Sequence, residues 1–322
     1  MIEVTGLTVH FGAGQRRITA VRAASFAVER GEVFGLVGES GSGKTTLAHA
    51  VVGLAVPDRG SEVRFEGTLL AGPVGSRSRD QVRGIQIVFQ NPDASLNRRH
   101  SVRRILGRPL TKLLGLRGDA RDRRVAELAA SVRLEAALLD ALPRQLSGGL
   151  KQRVGIARAL AGAPRVVICD EPTSALDVSV QAAILNLLVR LQRDRDLAYL
   201  FISHDLGVVR YISDRIGVLY LGRLMEVGPA GVVFAAPHHP YTEALLAAAP
   251  NLDQPDGRPT RLRGEIPSAA HPPTGCVFHT RCPRKLGAIC EQQEPPLVEA
   301  EPGHLMRCHI PIEDLRRLQT SS

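Results

Sequence analysis

Residues 38–45 read GESGSGKT, set between the apolar run Val33–Val37 and a helix-compatible stretch over residues 44–54. The pattern G-x-x-x-x-G-K-[ST] in the order strand, glycine turn, helix leaves few folds open, because in that context it is a phosphate-binding loop. Glycines let consecutive backbone N–H groups turn toward phosphate oxygens, and the helix offers the positive end of its dipole to the same anion. Lys44 is expected to reach the β and γ phosphates of a nucleotide and the Thr45 hydroxyl to hold Mg²⁺. Gly38, Glu39, Ser40, Gly41, Ser42, Gly43 and Thr46 complete the expected nucleotide contacts.

The rest of the chain fits an α/β protein. Strand-like stretches cover residues 3–9 and 19–28, and further apolar strands are expected at 85–89, 165–169, 197–202 and 216–221. Between the strands at 85–89 and 165–169, residues 97–142 carry Leu and Val at helical spacings among Arg, which reads as an inserted helical subdomain. Strands alternating with helices predict a mostly parallel sheet covered on both faces. At 322 residues, 44% hydrophobic and 23% charged, the chain can bury a large core.

The formal net charge of +9 is partly local, with ten Arg or Lys against Asp119 and Asp122 between Arg98 and Arg124. Without interleaved aromatics this pattern reads as a solvated helical face in preference to a nucleic-acid site. No apolar stretch approaches the ~18 residues a spanning helix needs, and the opening MIEVTGLTVHF lacks a secretory pattern. The chain is therefore expected to be soluble and unsecreted, and if it serves a membrane, to do so from the cytoplasmic face through a partner.

Residues 165–171, RVVICDE, form an apolar run ending in two acids, at the edge where open parallel sheets bind ligands. Asp170 suits Mg²⁺, directly or through water, and Glu171 suits polarisation of an attacking water. Between these two sites stands LSGGL, residues 146–150, followed by KQRVGIARAL. Ser147 and the N–H groups of Gly148 and Gly149 precede a helix and can bind a γ-phosphate, while Ser147 also caps that helix.

With these motifs in this order, residues 2–249 resemble the nucleotide-binding subunits of ABC transporters. LSGGL departs from the common LSGGQ only at Leu150. The resemblance implies a P-loop ATPase core with an added antiparallel β subdomain and a helical subdomain at about 97–145. It implies that Ser147, Gly148, Gly149 and Asp177 (in SALD) serve the ATP of a second subunit. It further implies that Phe11 stacks on adenine, that Gln90 meets Mg²⁺ and water, and that His204 contacts the γ-phosphate. Gln90, Glu171 and His204 are thus the expected catalytic residues, with Thr45, Gln90 and Asp170 toward Mg²⁺.

From residue 250 the texture changes: eleven of the 21 prolines and four of the five cysteines lie in 250–322. This segment is expected to be a separate C-terminal extension beyond an ATPase domain at 1–249. VFQNPDASLN, HHPYTEALLAAAP and GCVFHTRCP resemble the ATPases of oligopeptide and dipeptide importers, and importers of nickel and other small solutes share much of this pattern. The resemblance implies ATP hydrolysis, two membrane permease subunits, a second ATPase subunit of a different chain, and indirectly an extracytoplasmic solute-binding protein. An ABC protein of nucleic-acid repair or translation is the rival class, but neither paired cassettes nor a long coiled-coil insertion is present.

Cys276, Cys282, Cys290 and Cys308 are spaced C-x5-C-x7-C-x17-C. Disulfides do not suit a reducing cytoplasm, and structural zinc favours tighter pairs. Some importers of this family carry a [4Fe-4S] cluster on matching cysteines, and four thiolates suit one. A zinc site using His279, His304 or His309, and four unliganded cysteines, stay open as alternatives. Cys169, inside an apolar strand, reads as a small buried residue.

Overall fold

The computed structural model describes residues 1–12, 17–248 and 264–320. The chain opens with β1 (Ile2–Phe11) and β2 (Ile18–Val28), an antiparallel pair. Along β1 the buried side chains change phase between Val4 and Leu7, because Gly6, at φ 59°, inserts a bulge that returns Leu7 and Val9 to the core face. The fully buried β3 (Val33–Val37) follows and runs through the glycine loop into α1 (Lys44–Val52). Then β4 (Glu62–Phe65) and β5 (Thr68–Leu69) complete a four-stranded antiparallel sheet ordered β2-β1-β4-β5.

The chain next passes α2 (Arg79–Gly84), β6 (Ile85–Val88) and α3 (Pro92–Ser95). It then builds the helical subdomain from α4 (Val102–Leu114) and α5 (Gly118–Ser131). In α4 the buried positions Val102, Ile105, Leu106 and Leu110 follow helical spacing and meet Val125 and Leu128 of α5 in one core, which leaves the arginines outward. Each such leucine removed from water contributes roughly 1.5–3 kcal/mol. Returning through α6 (Gly148–Leu160), the chain enters the buried β7 (Val166–Asp170), α7 (Val178–Arg195) and the buried β8 (Ala198–Ile202).

After α8 (Leu206–Ile212), β9 (Arg215–Tyr220) and β10 (Arg223–Pro229) form a hairpin, followed by α9 (Ala230–Val233) and α10 (Pro240–Ala248). The C-terminal segment holds α11 (Ala288–Gln292), β11 (Leu297–Glu301), β12 (His304–Arg307) and α12 (Ile312–Thr320). The main sheet is ordered β11-β12-β10-β9-β3-β8-β7-β6. Its five strands from β9 to β6 are parallel, and the other pairings are antiparallel. A parallel sheet needs cover on both faces, which explains why β3, β7 and β8 are buried throughout.

The expected boundary at 249/250 lies outside the described residues. Beyond it the tail does not stand apart from the core, because β12 pairs with β10 through Glu226–Met306 and Val227–Leu305 and so extends the main sheet. A buried polar knot fastens the same junction. Glu226 accepts from the His239 N–H at 3.1 Å, from the Thr242 hydroxyl, and pairs with His304 Nε2 at 2.7 Å. Among the described residues, no helix is long and apolar enough to cross a membrane.

Candidate functional site: a phosphate-loop cleft

The glycine loop leaves β3 at the carboxyl edge of the sheet, where β7 and β8 also end. Two glycines in it are fixed by close approach. A Cβ on Gly38, at φ 152°, would stand 2.2 Å from the Leu219 carbonyl, and one on Gly43, at φ 105°, would stand 2.2 Å from the Ala20 carbonyl. The loop is thus clamped between β9 and β2. The β9–β10 turn adds a Gly222 N–H bond to the Ser42 carbonyl at 2.8 Å.

Lys44 lies inside the loop and donates to the carbonyls of Gly38 at 2.7 Å and Glu39 at 2.9 Å. Burial draws its pKa down, while Glu171, Asp170 and Glu39 oppose the shift. Thr45 donates to Asp170 Oδ1 at 3.1 Å, which joins the loop to the end of β7. Burial pushes the Asp170 carboxyl up, and the Thr45 hydrogen bond acts the other way. These oxygens make a hard donor set of the kind Mg²⁺ takes.

Glu171 follows Asp170 at φ 44°, a left-handed conformation that costs a non-glycine residue about 1 kcal/mol. Its N–H bond to the Ile202 carbonyl at 3.0 Å holds that turn. Its carboxylate is bracketed: Gln90 Nε2 donates to Oε2 at 2.9 Å, and His204 Nδ1 lies 3.3 Å from Oε1. These groups line a cleft of ≈ 600 Å³ together with Phe11, Ser40, Gly41, Gly43, Lys44, Thr45 and Thr46. Phe11, 49% exposed, lines the same cleft. Gly38, Glu39, Ser42 and Asp170 are not among the lining residues.

Four expected positions lie elsewhere. Ser147 caps α6, accepting from the Leu150 N–H at 3.4 Å, and Gly148 opens that helix. Asp177 caps α7, accepting from the Val180 N–H and the Ser179 hydroxyl at 2.9 Å each, which hold its carboxyl below the usual range. Ser147, Gly148, Gly149 and Asp177 are not among the residues lining the cleft. Beside them Val178, 84% exposed, opens α7 with an uncovered apolar side chain.

Sequence reading missed Ile18, Thr19 and Ala20 of β2, Leu221 and Gly222 of the β9–β10 turn, and Ala269 of the tail, all of which line the cleft. Only pairing across the fold brings them there, and no local motif marks them. It also missed Tyr241 and Arg281, which bond Glu39 from α10 and the tail.

The four tail cysteines line one small cavity with His239, His279 and His309. None of the four forms a disulfide, and the cavity's volume of ≈ 20 Å³ is that of about one water. Burial pushes the Cys282 thiol up to about 12 and the Cys308 thiol up to about 11. Among the described residues, no group of three or more His, Cys, Asp or Glu side chains is arranged to hold a metal ion.

A family model of the ABC transporter matches residues 21–174, and one of the oligopeptide/dipeptide transporter C-terminal region matches residues 225–290. A putative oligopeptide transport ATP-binding protein of Bacillus subtilis, YkfD, is 44% identical over 96% of this chain and 95% of its own length. The oligopeptide transport ATP-binding protein AppF of the same organism is 44% identical over 94% of this chain and 93% of its own. A putative peptide import ATP-binding protein of Brucella ovis is 45% identical over 96% and 97%.

Among solved structures, the chain is similar to the dimeric post-hydrolysis state of the ATP-binding cassette MJ0796 bound to ADP and Pi. The TM-score is 0.63 at 27% identity, covering 71% of this chain and 99% of that one. It is also similar to CbiO1 of Clostridium perfringens, at TM-score 0.63 and 29% identity over 73% and 90%. With a cassette core, a matching C-terminal region and relatives aligned over nearly the whole chain, this protein belongs to the ABC transporter family, in the group of oligopeptide and peptide import ATP-binding proteins.

Proposed function

We propose that the chain is the ATP-hydrolysing subunit of a peptide importer and that it works head to tail with a second, similar subunit. The observation that carries this reading is the bracketing of Glu171 by Gln90 and His204 at the floor of a cleft whose other wall is the Lys44–Thr45 loop. Lys44 would neutralise the β and γ phosphates, and Phe11 would take the base. Thr45, Asp170 and Gln90 would hold Mg²⁺, which screens phosphate charge when bound. Glu171 would orient the water that attacks the γ-phosphorus, ADP would leave, and His204 would contact the γ-phosphoryl oxygens. Catalysis of this kind is mostly positioning and charge stabilisation.

The cleft is half of a site. Ser147 and Gly148 are exposed at the start of α6, with Gly149 half-buried after them, and the exposed Val178 stands beside Asp177. Both features support a surface that closes on a second subunit's ATP. In this reading closure drives permease subunits at the cytoplasmic face of the membrane, with a solute-binding protein acting from the other side. A different ATPase chain is the proposed partner.

The tail cysteines belong to the same proposal. Four thiols around one cavity match the ligand number of a [4Fe-4S] cluster. Cys276, Cys282, Cys290 and Cys308 would hold the cluster as thiolates, and the one-water cavity would have to widen around it. Iron and acid-labile sulfide analysis of anaerobically purified protein tests this. A colourless, iron-free protein after iron-replete expression rejects it.

Function is tested by reconstituting the chain with its permease and partner ATPase in vesicles and measuring ATP hydrolysis with and without peptide-loaded binding protein. Peptide-stimulated turnover is expected. Stimulation by a metal or sugar ligand but not by peptide would overturn the peptide assignment.

A further inference from the structure

Glu39, the second residue of the phosphate loop, is held by three separate groups. Its carboxylate takes both arms of the Arg281 guanidinium, Nη1 to Oε2 at 2.6 Å and Nη2 to Oε1 at 3.0 Å. Its N–H donates to the Tyr241 hydroxyl at 2.9 Å, and its carbonyl accepts from Lys44 Nζ at 2.9 Å. Two of these three anchors come from α10 and the tail.

The Arg281 side chain is 3% exposed and its partner carboxylate 22%, so the pair is largely sealed from solvent. A planar guanidinium in two parallel bonds fixes orientation as well as distance. Arg281 also donates to the Tyr220 hydroxyl at 3.4 Å, and Tyr220 packs with Tyr241 and Phe278 at centroid distances of 4.7 and 5.3 Å. The segment around Arg281 faces two ways. Cys276 and Cys282 line the thiol cavity, while Arg281 points to the phosphate loop.

We propose that Arg281 is a positioning residue for ATP: by pairing with Glu39 it fixes the first turn of the phosphate loop and cancels a carboxylate that would otherwise repel the incoming phosphates. The proposal rests on the reading of that loop as the ATP site. A loop that is already ordered loses less entropy on binding, and a compensated carboxylate repels a polyanion less. Both effects lower the ATP dissociation constant. The tail thereby becomes a structural part of the nucleotide site, and any change in the packing of residues 276–282 is transmitted to Glu39.

The test titrates the full-length chain with trinitrophenyl-ATP and Mg²⁺. Arg281→Ala is expected to raise the Kd about tenfold, and Arg281→Lys, which keeps the charge and loses the fork, about threefold. Adding Glu39→Gln to Arg281→Ala removes the repelling carboxylate and is expected to return the Kd to within about threefold of the parent. In the assembled transporter the KM for ATP rises while kcat stays within about twofold, because only binding is touched. Parent-like affinity in a folded Arg281→Ala overturns the proposal, as does a double variant no better than Arg281→Ala. Should Arg281→Ala lack a cooperative melting transition, Arg281→Lys decides, and parent-like affinity there overturns it. Lys44→Ala separates the two ideas: if it binds the probe like the parent, the nucleotide assignment itself fails.

Discussion

Gln90 Nε2 donates to Glu171 Oε2 at 2.9 Å, across 81 residues of sequence. The bond links the end of β6 to the end of β7 and aims the carboxylate into the cleft from a strained backbone. Glu171→Gln preserves shape and removes the acceptor charge a water-polarising group needs. Turnover by the assembled transporter is expected to fall about 10²-fold or more, the range for a lost general base. Trinitrophenyl-ATP affinity should stay within about threefold, since Glu171 contributes little to holding the ground state. Phosphate release at the parental rate would remove Glu171 from the mechanism.

Ser147 offers a way to test the half-site without disturbing the fold. Its hydroxyl accepts one long hydrogen bond at an exposed helix start, so Ser147→Ala should cost only about 0.5 kcal/mol of stability. If the same hydroxyl serves the ATP of a second subunit, the loss of a bond to a charged group should slow turnover of the assembly roughly tenfold. ATP affinity of the isolated chain should be unchanged, because Ser147 is not part of the chain's own cleft. Weaker ATP binding by the isolated variant would contradict a site shared between subunits.

The part of the site legible in the sequence is the part made by contiguous chain. The phosphate loop, the acid pair after β7 and the capping Ser147 each carry their chemistry within a few residues, so spacing alone reveals them. The strand assignments 85–89, 165–169 and 197–202 held to within a residue because buried parallel strands are apolar runs. The tail was harder to read. β12 is four residues long and gains its place only by pairing with β10, and Arg281 meets Glu39 across 242 residues. Nothing local to RCPRK announces an arginine that serves the phosphate loop. The separateness expected from the proline-rich texture failed for the same reason, since texture reports local conformation and not docking.

His239 supplies a pH dependence of stability from the junction between core and tail. Burial draws its pKa down to about 4 from 6.5, against the pull of Glu226 and with help from His238. Its Nδ1 accepts from the Tyr241 N–H at 2.9 Å, a bond that the neutral ring alone can make. Above pH 6.5 the ring is neutral folded or unfolded, and the full contribution is present. As pH falls from 6.5 toward 4 the unfolded chain takes up a proton that the folded chain refuses, so stability is lost through that window. The loss reaches on the order of 3 kcal/mol at its lower end. His239→Asn keeps an acceptor near the Tyr241 N–H and removes the titration. Melting temperatures of parent and variant, followed between pH 7 and pH 4, should therefore converge as the pH falls, beginning from a more stable parent. Parallel curves across that range would show that the ring does not carry the dependence.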